Sequence, residues 1–217
     1  GAGKSTLLKA LSGDVHFSGD AHLHGKPIQH WPRRESARHM AVLPQHSSVG
    51  FALSAYEVAT LGLTPLSVSR LQARTLVMEH MQAWHCWHLA PRPITSLSGG
   101  ERQRVHLARV CLQLSQAKRP PLLLLDEPTS AQDLHQQHKI LATMRQLCHQ
   151  QRFTVLAVLH DLNHALAYAD RCLVIKQGEI VLDGPPQQSL MPSTVNDIWD
   201  YLPATYHHAN SQRALLF

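Results

Sequence analysis

The sequence predicts an α/β fold in which a mostly parallel sheet is covered by helices. Continuous apolar runs at Leu122–Leu125 and Thr154–Leu159 alternate with segments of helical periodicity. Such fully apolar strands are typical of a parallel sheet buried on both faces. Met40–Leu43 is a third short apolar run that predicts a strand. Residues 47–95 instead carry helical periodicity, which indicates a helical insertion in the α/β chain.

Periodicity and turn residues place the remaining elements. Gly3–Leu11 is predicted to be a loop entering a helix, which Gly13 stops. Residues 14–25 alternate loosely, as an extended segment ending in a turn does. Further elements are predicted in chain order, as helices at 54–62, 67–87, 101–115 and 134–149 and as a hairpin at 171–182.

Length and composition favour a single folded domain. A chain of 217 residues is long enough to bury a core, and 44% apolar against 16% charged residues excludes a disordered protein. We therefore expect one domain, 1–217, in which a helical subdomain at about 47–95 interrupts a core made of residues 1–46 and 96–217.

Charge and cysteine content exclude several classes of protein. The net charge is +5, but the Lys and Arg residues are scattered, so no nucleic-acid partner is expected. No run approaches the roughly 18 apolar residues that a membrane-spanning helix needs. The cysteines form no C-x-x-C pair, which favours free thiols in a reducing compartment.

The chain opens on a phosphate-binding pattern. Gly1-Ala2-Gly3-Lys4-Ser5 matches the last five residues of G-x-x-x-x-G-K-[ST], whose first glycine would lie three residues upstream. Glycines let backbone N–H groups surround a phosphate, and the following helix N-terminus adds positive potential. Lys4 supplies a charge to the β- and γ-phosphates, and the Ser5 hydroxyl is placed to bind Mg²⁺. The candidate nucleotide-binding residues are Gly1, Ala2, Gly3, Lys4, Ser5 and Thr6.

Two carboxylates follow the apolar strand at Leu122–Leu125. Asp126 and Glu127 thus lie at the carboxyl edge of the predicted sheet, where α/β proteins bind ligands. Asp126 fits the role of holding Mg²⁺, directly or through water, and Glu127 fits the general base that orients and deprotonates the attacking water. Together with the phosphate-binding pattern, they predict hydrolysis of a Mg²⁺-bound nucleoside triphosphate.

A further motif resembles the signature of one family of P-loop NTPases. Leu97-Ser98-Gly99-Gly100-Glu101-Arg102-Gln103-Arg104 is similar to the signature of ABC ATPases. A Ser-Gly-Gly turn opening a helix makes an anion site from free N–H groups and the helix dipole. The resemblance implies that Ser98, Gly99, Gly100 and Glu101 act in trans, on the ATP held by a second copy of the chain.

Other landmarks of the family follow in the family's order. Gln45 resembles the Q-loop glutamine, a catalytic and Mg²⁺-sensing position, and His160 resembles the switch histidine that contacts the γ-phosphate. Ser130-Ala131-Gln132-Asp133 resembles the D-loop, with Asp133 at the dimer seam. The chain departs from the family at Gln132, where leucine is usual. The implied Mg²⁺ ligands are Ser5, Gln45 and Asp126.

The resemblance also implies what lies upstream of Gly1. In this family the aromatic residue that stacks on adenine precedes the P-loop, so we expect the N-terminal strands to be truncated here. A 217-residue molecule starting at Gly1 is then expected to bind ATP poorly.

Within the family, three features resemble importers of iron-siderophore, haem and cobalamin. The helical insertion is short and no permease is fused to it. The signature carries Glu101, and His160-Asp161-Leu162-Asn163 continues into Ala167–Arg171 as in that group. The long segment Val110–Pro121 is similar to that of haemin importer ATPases. The resemblance implies a homodimer working with integral-membrane permease subunits, and indirectly with a periplasmic haem-binding protein, on the cytoplasmic side of the bacterial inner membrane.

Three alternatives stay open at this point. The first is the same role in a ferric-siderophore or cobalamin importer. The second is an ABC ATPase of DNA maintenance, which the absence of sustained heptads between Gly3 and Ser98 disfavours. The third is an ABC translation factor, which would need two cassettes. The 17 histidines show no spacing of a closed zinc site, so we interpret them as packing and solvated residues.

Overall fold

Helices and strands alternate along the chain in the computed structural model, which describes residues 2–45, 52–151, 153–207 and 214–216. Within these residues the helices are α1 (Lys4–Ser12), α2 (Arg33–His39), α3 (Ala55–Thr60), α4 (Arg70–Ala83), α5 (Gly99–Leu114), α6 (Leu134–Gln151), α7 (Leu162–Tyr168), α8 (Pro186–Ser189) and α9 (Pro192–Trp199). The strands are β1 (His22–Leu23), β2 (Lys26–Pro27), β3 (Met40–Leu43), β4 (Leu122–Asp126), β5 (Thr154–Val158), β6 (Cys172–Lys176), β7 (Glu179–Gly184), β8 (Thr205–His207) and β9 (Ala214–Leu216).

A parallel sheet of β3, β4 and β5 forms the centre of the fold, with β4 in the middle. Leu43 pairs with Leu125, and Asp126 pairs with Val158, so the three strands end at one edge. The predicted α/β fold with a parallel sheet is confirmed. The three strands were predictable because each is a continuous apolar run.

Strand β4 is buried on both faces because its side chains alternate between two apolar clusters. Leu123 and Leu125 pack in the larger cluster, which includes residues of α5 and α6. Leu124 packs on the opposite face with Leu8 of α1 and Val158 of β5. Each face of the sheet is therefore covered by helices, and neither face of β4 is exposed to solvent and required to be polar.

The segment between β3 and α5 is helical where the structure describes it. Helices α3 and α4 both begin with a capping box, formed by Ser54 with Glu57 and by Ser69 with Gln72. Both helices contact α5 and belong to its apolar cluster. Their core is thus continuous with that of the sheet, and the division into a core and a subdomain at about 47–95 stays a prediction.

Outside the central sheet, the structure agrees with some of the predicted elements and differs from others. Residues 14–21 form no strand; only His22–Leu23 of that segment pairs, with β2. Helix α2 has no buried residue and therefore no apolar stripe that periodicity could detect. The predicted hairpin is present as β6 and β7. Within the described residues, no helix is both long and apolar enough to span a bilayer.

Gly62 marks the tightest approach of the helical segment to α5. It lies in a 3-10 turn at Leu61–Leu63, and a Cβ there would be 2.3 Å from the carbonyl oxygen of Arg109. Since that oxygen is helix backbone, a Gly62→Ala variant must push α5 and the turn apart. We expect it to lower the free energy of unfolding by about 1–3 kcal/mol, measured by urea denaturation.

The neighbouring Leu61 provides the control for this prediction. Leu61 is 47% exposed, so Leu61→Ala should change stability by about 0.5 kcal/mol or less. Equal stability of Gly62→Ala and the wild-type protein would contradict the packing described for this turn.

Candidate active site

Three predicted catalytic residues meet at the carboxyl edge of the sheet. Gln45 follows β3, Glu127 follows β4 and His160 follows β5. Because parallel strands in register end together, the residues that follow them converge. The structure thus brings together side chains separated by 82 and 33 positions in the sequence.

The carboxylate of Glu127 lies between the other two side chains. Nε2 of Gln45 donates to one carboxylate oxygen at 2.8 Å, and Nε2 of His160 is 2.5 Å from the other. The side chain of Glu127 is 17% exposed, against 65% for His160. A carboxylate oriented from both sides, with limited access to solvent, is suited to hold and deprotonate one water molecule.

The backbone of Glu127 is in an unfavourable conformation. Its φ is 51°, in the left-handed region that non-glycine residues rarely adopt. Its carbonyl accepts hydrogen bonds from Ser130 Oγ at 3.1 Å and from Nε2 of Gln103 at 3.3 Å. The surrounding turn therefore holds a strained residue at the point where the chemistry is predicted.

Asp126 has the surroundings of a cation ligand. It is buried, and its Oδ1 has no hydrogen-bond partner among the residues that the structure describes. A buried carboxylate oxygen without a donor is costly unless another group satisfies it. The residue therefore fits the predicted role of holding Mg²⁺.

Helix α1 begins directly after Gly3, the second glycine of the P-loop pattern Gly1-Ala2-Gly3-Lys4-Ser5. Gly3, its N-cap, has a φ of 90°, which a residue with a Cβ would rarely adopt. Among the described residues no side chain caps this end of the helix, so the amides of Lys4, Ser5 and Thr6 stay available for an anion. Gly1 lies outside the described residues.

The predicted signature forms a capped helix start. Ser98 Oγ accepts the amide of Glu101 at 3.2 Å, and the Ser98 amide donates to the Glu101 carboxylate at 2.8 Å. That backbone hydrogen bond, with help from the Ser98 hydroxyl, lowers the pKa of Glu101. Glu101 thus stabilises its own helix, and the amides of Gly99 and Gly100 have no partner within the described part of the chain.

The predicted D-loop lies against the signature. Asp133 caps α6 by accepting the amide of Gln136 at 2.9 Å. The side-chain amide of Gln132 donates to the carbonyl of Gly100 at 2.9 Å and to Oε1 of Gln103 at 3.0 Å. The hydrogen bond between Gln132 and Gln103 was not predicted from the sequence. The one sequence feature that could have indicated it is the glutamine at position 132, where the family usually has leucine.

The signature and the P-loop are not joined by a hydrogen bond or an ion pair within the described residues. Two separate helix starts that can each bind an anion, and a carboxylate pair at a sheet edge, are the parts of an ATP-binding cassette. The family model described as "ABC transporter" matches residues 1–130. The chain belongs to the ABC transporter family, whose ATPases bind ATP.

Relatives described as hemin import ATP-binding proteins match over nearly the whole chain. It is 49% identical, over all of its 217 residues and 85% of the relative, to the "Hemin import ATP-binding protein HmuV" of Shewanella denitrificans. It is 44% identical to the protein of the same name from Vibrio cholerae, over 93% of this chain and 78% of the relative.

Solved structures agree on the fold. An inward-facing ABC transporter, assigned to the metal-chelate type, matches with a TM-score of 0.81 and 26% identity, over all of this chain and 82% of that one. An ATP-binding cassette solved as a dimer after hydrolysis, with ADP and Pi, matches with a TM-score of 0.75 and 25% identity. That match covers 85% of this chain and 81% of the solved one.

Proposed function

We propose that the chain is the ATP-hydrolysing subunit of a bacterial haem importer. The observation that carries the proposal is the carboxylate of Glu127, held by Gln45 on one oxygen and by His160 on the other. Relatives 42–49% identical to this chain are named as hemin import ATP-binding proteins, which supports haem as the substrate.

The residues divide the chemistry of hydrolysis among themselves. Glu127 acts as the general base on the attacking water, while Gln45 and His160 fix the direction of its carboxylate. Lys4 and the first amides of α1 bind the phosphates. Ser5, Gln45 and Asp126 would hold Mg²⁺, which neutralises charge that develops on the phosphate oxygens.

The free amides of Gly99 and Gly100 serve a second copy of the chain. Two copies meet head to tail, and each ATP lies between the P-loop of one and the Ser98–Gly100 turn of the other. Only a triphosphate reaches both, so binding closes the dimer, and hydrolysis followed by release of phosphate reopens it. An ATP-binding cassette solved as a dimer with ADP and Pi supports the pairing of two copies.

The motion passes to permease subunits in the membrane. The Q-loop and the helical region that follows it, near residues 45–65, are the proposed contact with the permease; residues 46–51 of this range lie outside the described part of the chain. The subunit then lies on the cytoplasmic side of the inner membrane, and a periplasmic haem-binding protein delivers the cargo on the other side. The ATPase itself never touches haem in this scheme.

Haem-dependent turnover tests the proposed substrate. The intact ATPase is purified together with the permease subunits of its transporter and placed in proteoliposomes with the cognate periplasmic binding protein. We expect haem to stimulate ATP hydrolysis and to accumulate across the membrane, whereas a ferric siderophore and cobalamin at the same concentration do neither.

Stimulation by a ferric siderophore or cobalamin in place of haem would reassign the substrate. It would leave the ATPase assignment in place. The likeness to a transporter of the metal-chelate type makes these two the appropriate comparison compounds.

A further inference from the structure

Two glutamine side chains join the signature helix to the turn that carries Glu127. Gln132 of the D-loop donates to the carbonyl of Gly100 at 2.9 Å and to Oε1 of Gln103 at 3.0 Å. The amide of Gln103 in turn donates to the carbonyl of Glu127 at 3.3 Å. Both side chains are half-buried, so a continuous set of hydrogen bonds runs from Gly100 to Glu127.

The local structure leaves little freedom at Gln132. The backbone amide of Gln132 donates to the carbonyl of Thr129 at 3.2 Å, and the backbone carbonyl of Gln132 accepts from the side-chain amide of Gln137 at 3.1 Å. A Cβ on Gly100 would come within 2.8 Å of Gln132 Oε1. The glycine therefore allows the close approach, and the side chain of Gln132 is fixed from both ends.

The far end of this set is the strained backbone of Glu127. Its left-handed φ of 51° persists only if neighbouring groups hold it. Ser130 holds the carbonyl from within the same turn, at 3.1 Å. Gln103 donates to the same carbonyl from outside the turn, and it belongs to the helix that begins at the signature.

We propose that Gln132 is a positioning residue that, through Gln103, couples the signature turn to the backbone of Glu127. The proposal rests on the proposed function, because it takes Glu127 as the base and the Ser98–Gly100 turn as the contact with the partner's ATP. ATP bound at the signature of one subunit then steadies the base of that same subunit. The D-loop glutamine is the connection between the two sites.

Methionine variants test this connection because methionine matches glutamine in shape and lacks the amide. In the intact protein, Gln132→Met should lower kcat for ATP about three- to tenfold, as expected for a lost hydrogen bond, and change KM by less than twofold. Gln103→Met should give a similar fall. The double variant should lose no more than the larger single loss, since both residues lie on one path.

Gln113 supplies a matched control on the same helix. Its amide also donates to two backbone carbonyls, those of Ala37 and Met40, at 2.8 and 3.1 Å. It has no bond to Gln103 or Gln132. Gln113→Met should therefore lower the unfolding midpoint without changing kcat, which separates a general loss of packing from loss of positioning.

The outcomes distinguish this proposal from the proposed function. An unchanged kcat in Gln132→Met, or fully additive losses in the double variant, would overturn the coupling while Glu127 remained the base. If Gln132→Met does not fold, an unchanged kcat in Gln103→Met overturns it equally. Full turnover by Glu127→Gln would instead show that Glu127 is not the general base. The coupling proposal would then fail together with the proposed function.

Discussion

Replacing Glu127 with glutamine is expected to abolish ATP turnover while leaving ATP binding intact. The amide keeps the shape of the carboxylate but cannot accept a proton from water. Loss of a general base costs about 10²–10⁴-fold in rate. The P-loop and the Ser98–Gly100 turn are unchanged, so the triphosphate should still close the dimer, and without hydrolysis the dimer should persist.

Two measurements check this expectation. Phosphate release should fall to background, and size-exclusion chromatography with ATP should show a dimer that the wild-type protein forms only transiently. Glu57→Gln is the matched control: Glu57 caps α3, and glutamine also serves in a capping box, so hydrolysis should be normal. Undiminished hydrolysis by Glu127→Gln would rule out Glu127 as the base.

Glu127 could be selected from the sequence because its position follows from the fold. An apolar run predicts the buried strand β4, and a parallel sheet places the residue after such a strand at the ligand edge. His160, which follows β5, was selected by its resemblance to the switch histidine of the family. The ordered motifs then named Gln45. The convergence of these three residues follows from parallel strands that end at one edge, whereas their hydrogen-bond distances depend on side-chain placement that only the structure gives.

The link between Gln103 and Gln132 could not be selected in this way. The residues are 29 positions apart, and neither belongs to an apolar pattern or a charge pair. Their contact depends on the distance between the D-loop backbone and the signature helix. A sequence pattern does not determine that distance to within the length of a hydrogen bond. Helix α2 was missed for a related reason, since a helix with no buried residue leaves no periodic signal.

Each ATP site is expected to combine the P-loop of one subunit with the signature of the other. The P-loop and the signature of the same subunit then belong to different sites. Lys4→Ala removes the charge that binds the phosphates. Ser98→Asp keeps a good N-cap for α5 but directs a carboxylate at the partner's ATP. Each variant alone should therefore be inactive as a homodimer.

Mixed dimers of these two variants should regain activity. In a heterodimer, one site combines both altered residues and the other combines the intact P-loop of one subunit with the intact signature of the other. With random pairing of equal amounts, half of the dimers are mixed and half of their sites are whole, so at most about a quarter of the wild-type rate is expected. Co-expression with two affinity tags and a phosphate-release assay measures this directly.

A second mixture controls for subunit exchange alone. Lys4→Ala and Glu127→Gln damage the P-loop and the base, which the proposed arrangement places in the same site. Their heterodimer then contains one site without Lys4 and one without Glu127, so this mixture should stay inactive. Equal recovery in both mixtures, or none in the first, would contradict sites shared between subunits, because only composite sites make the two mixtures differ.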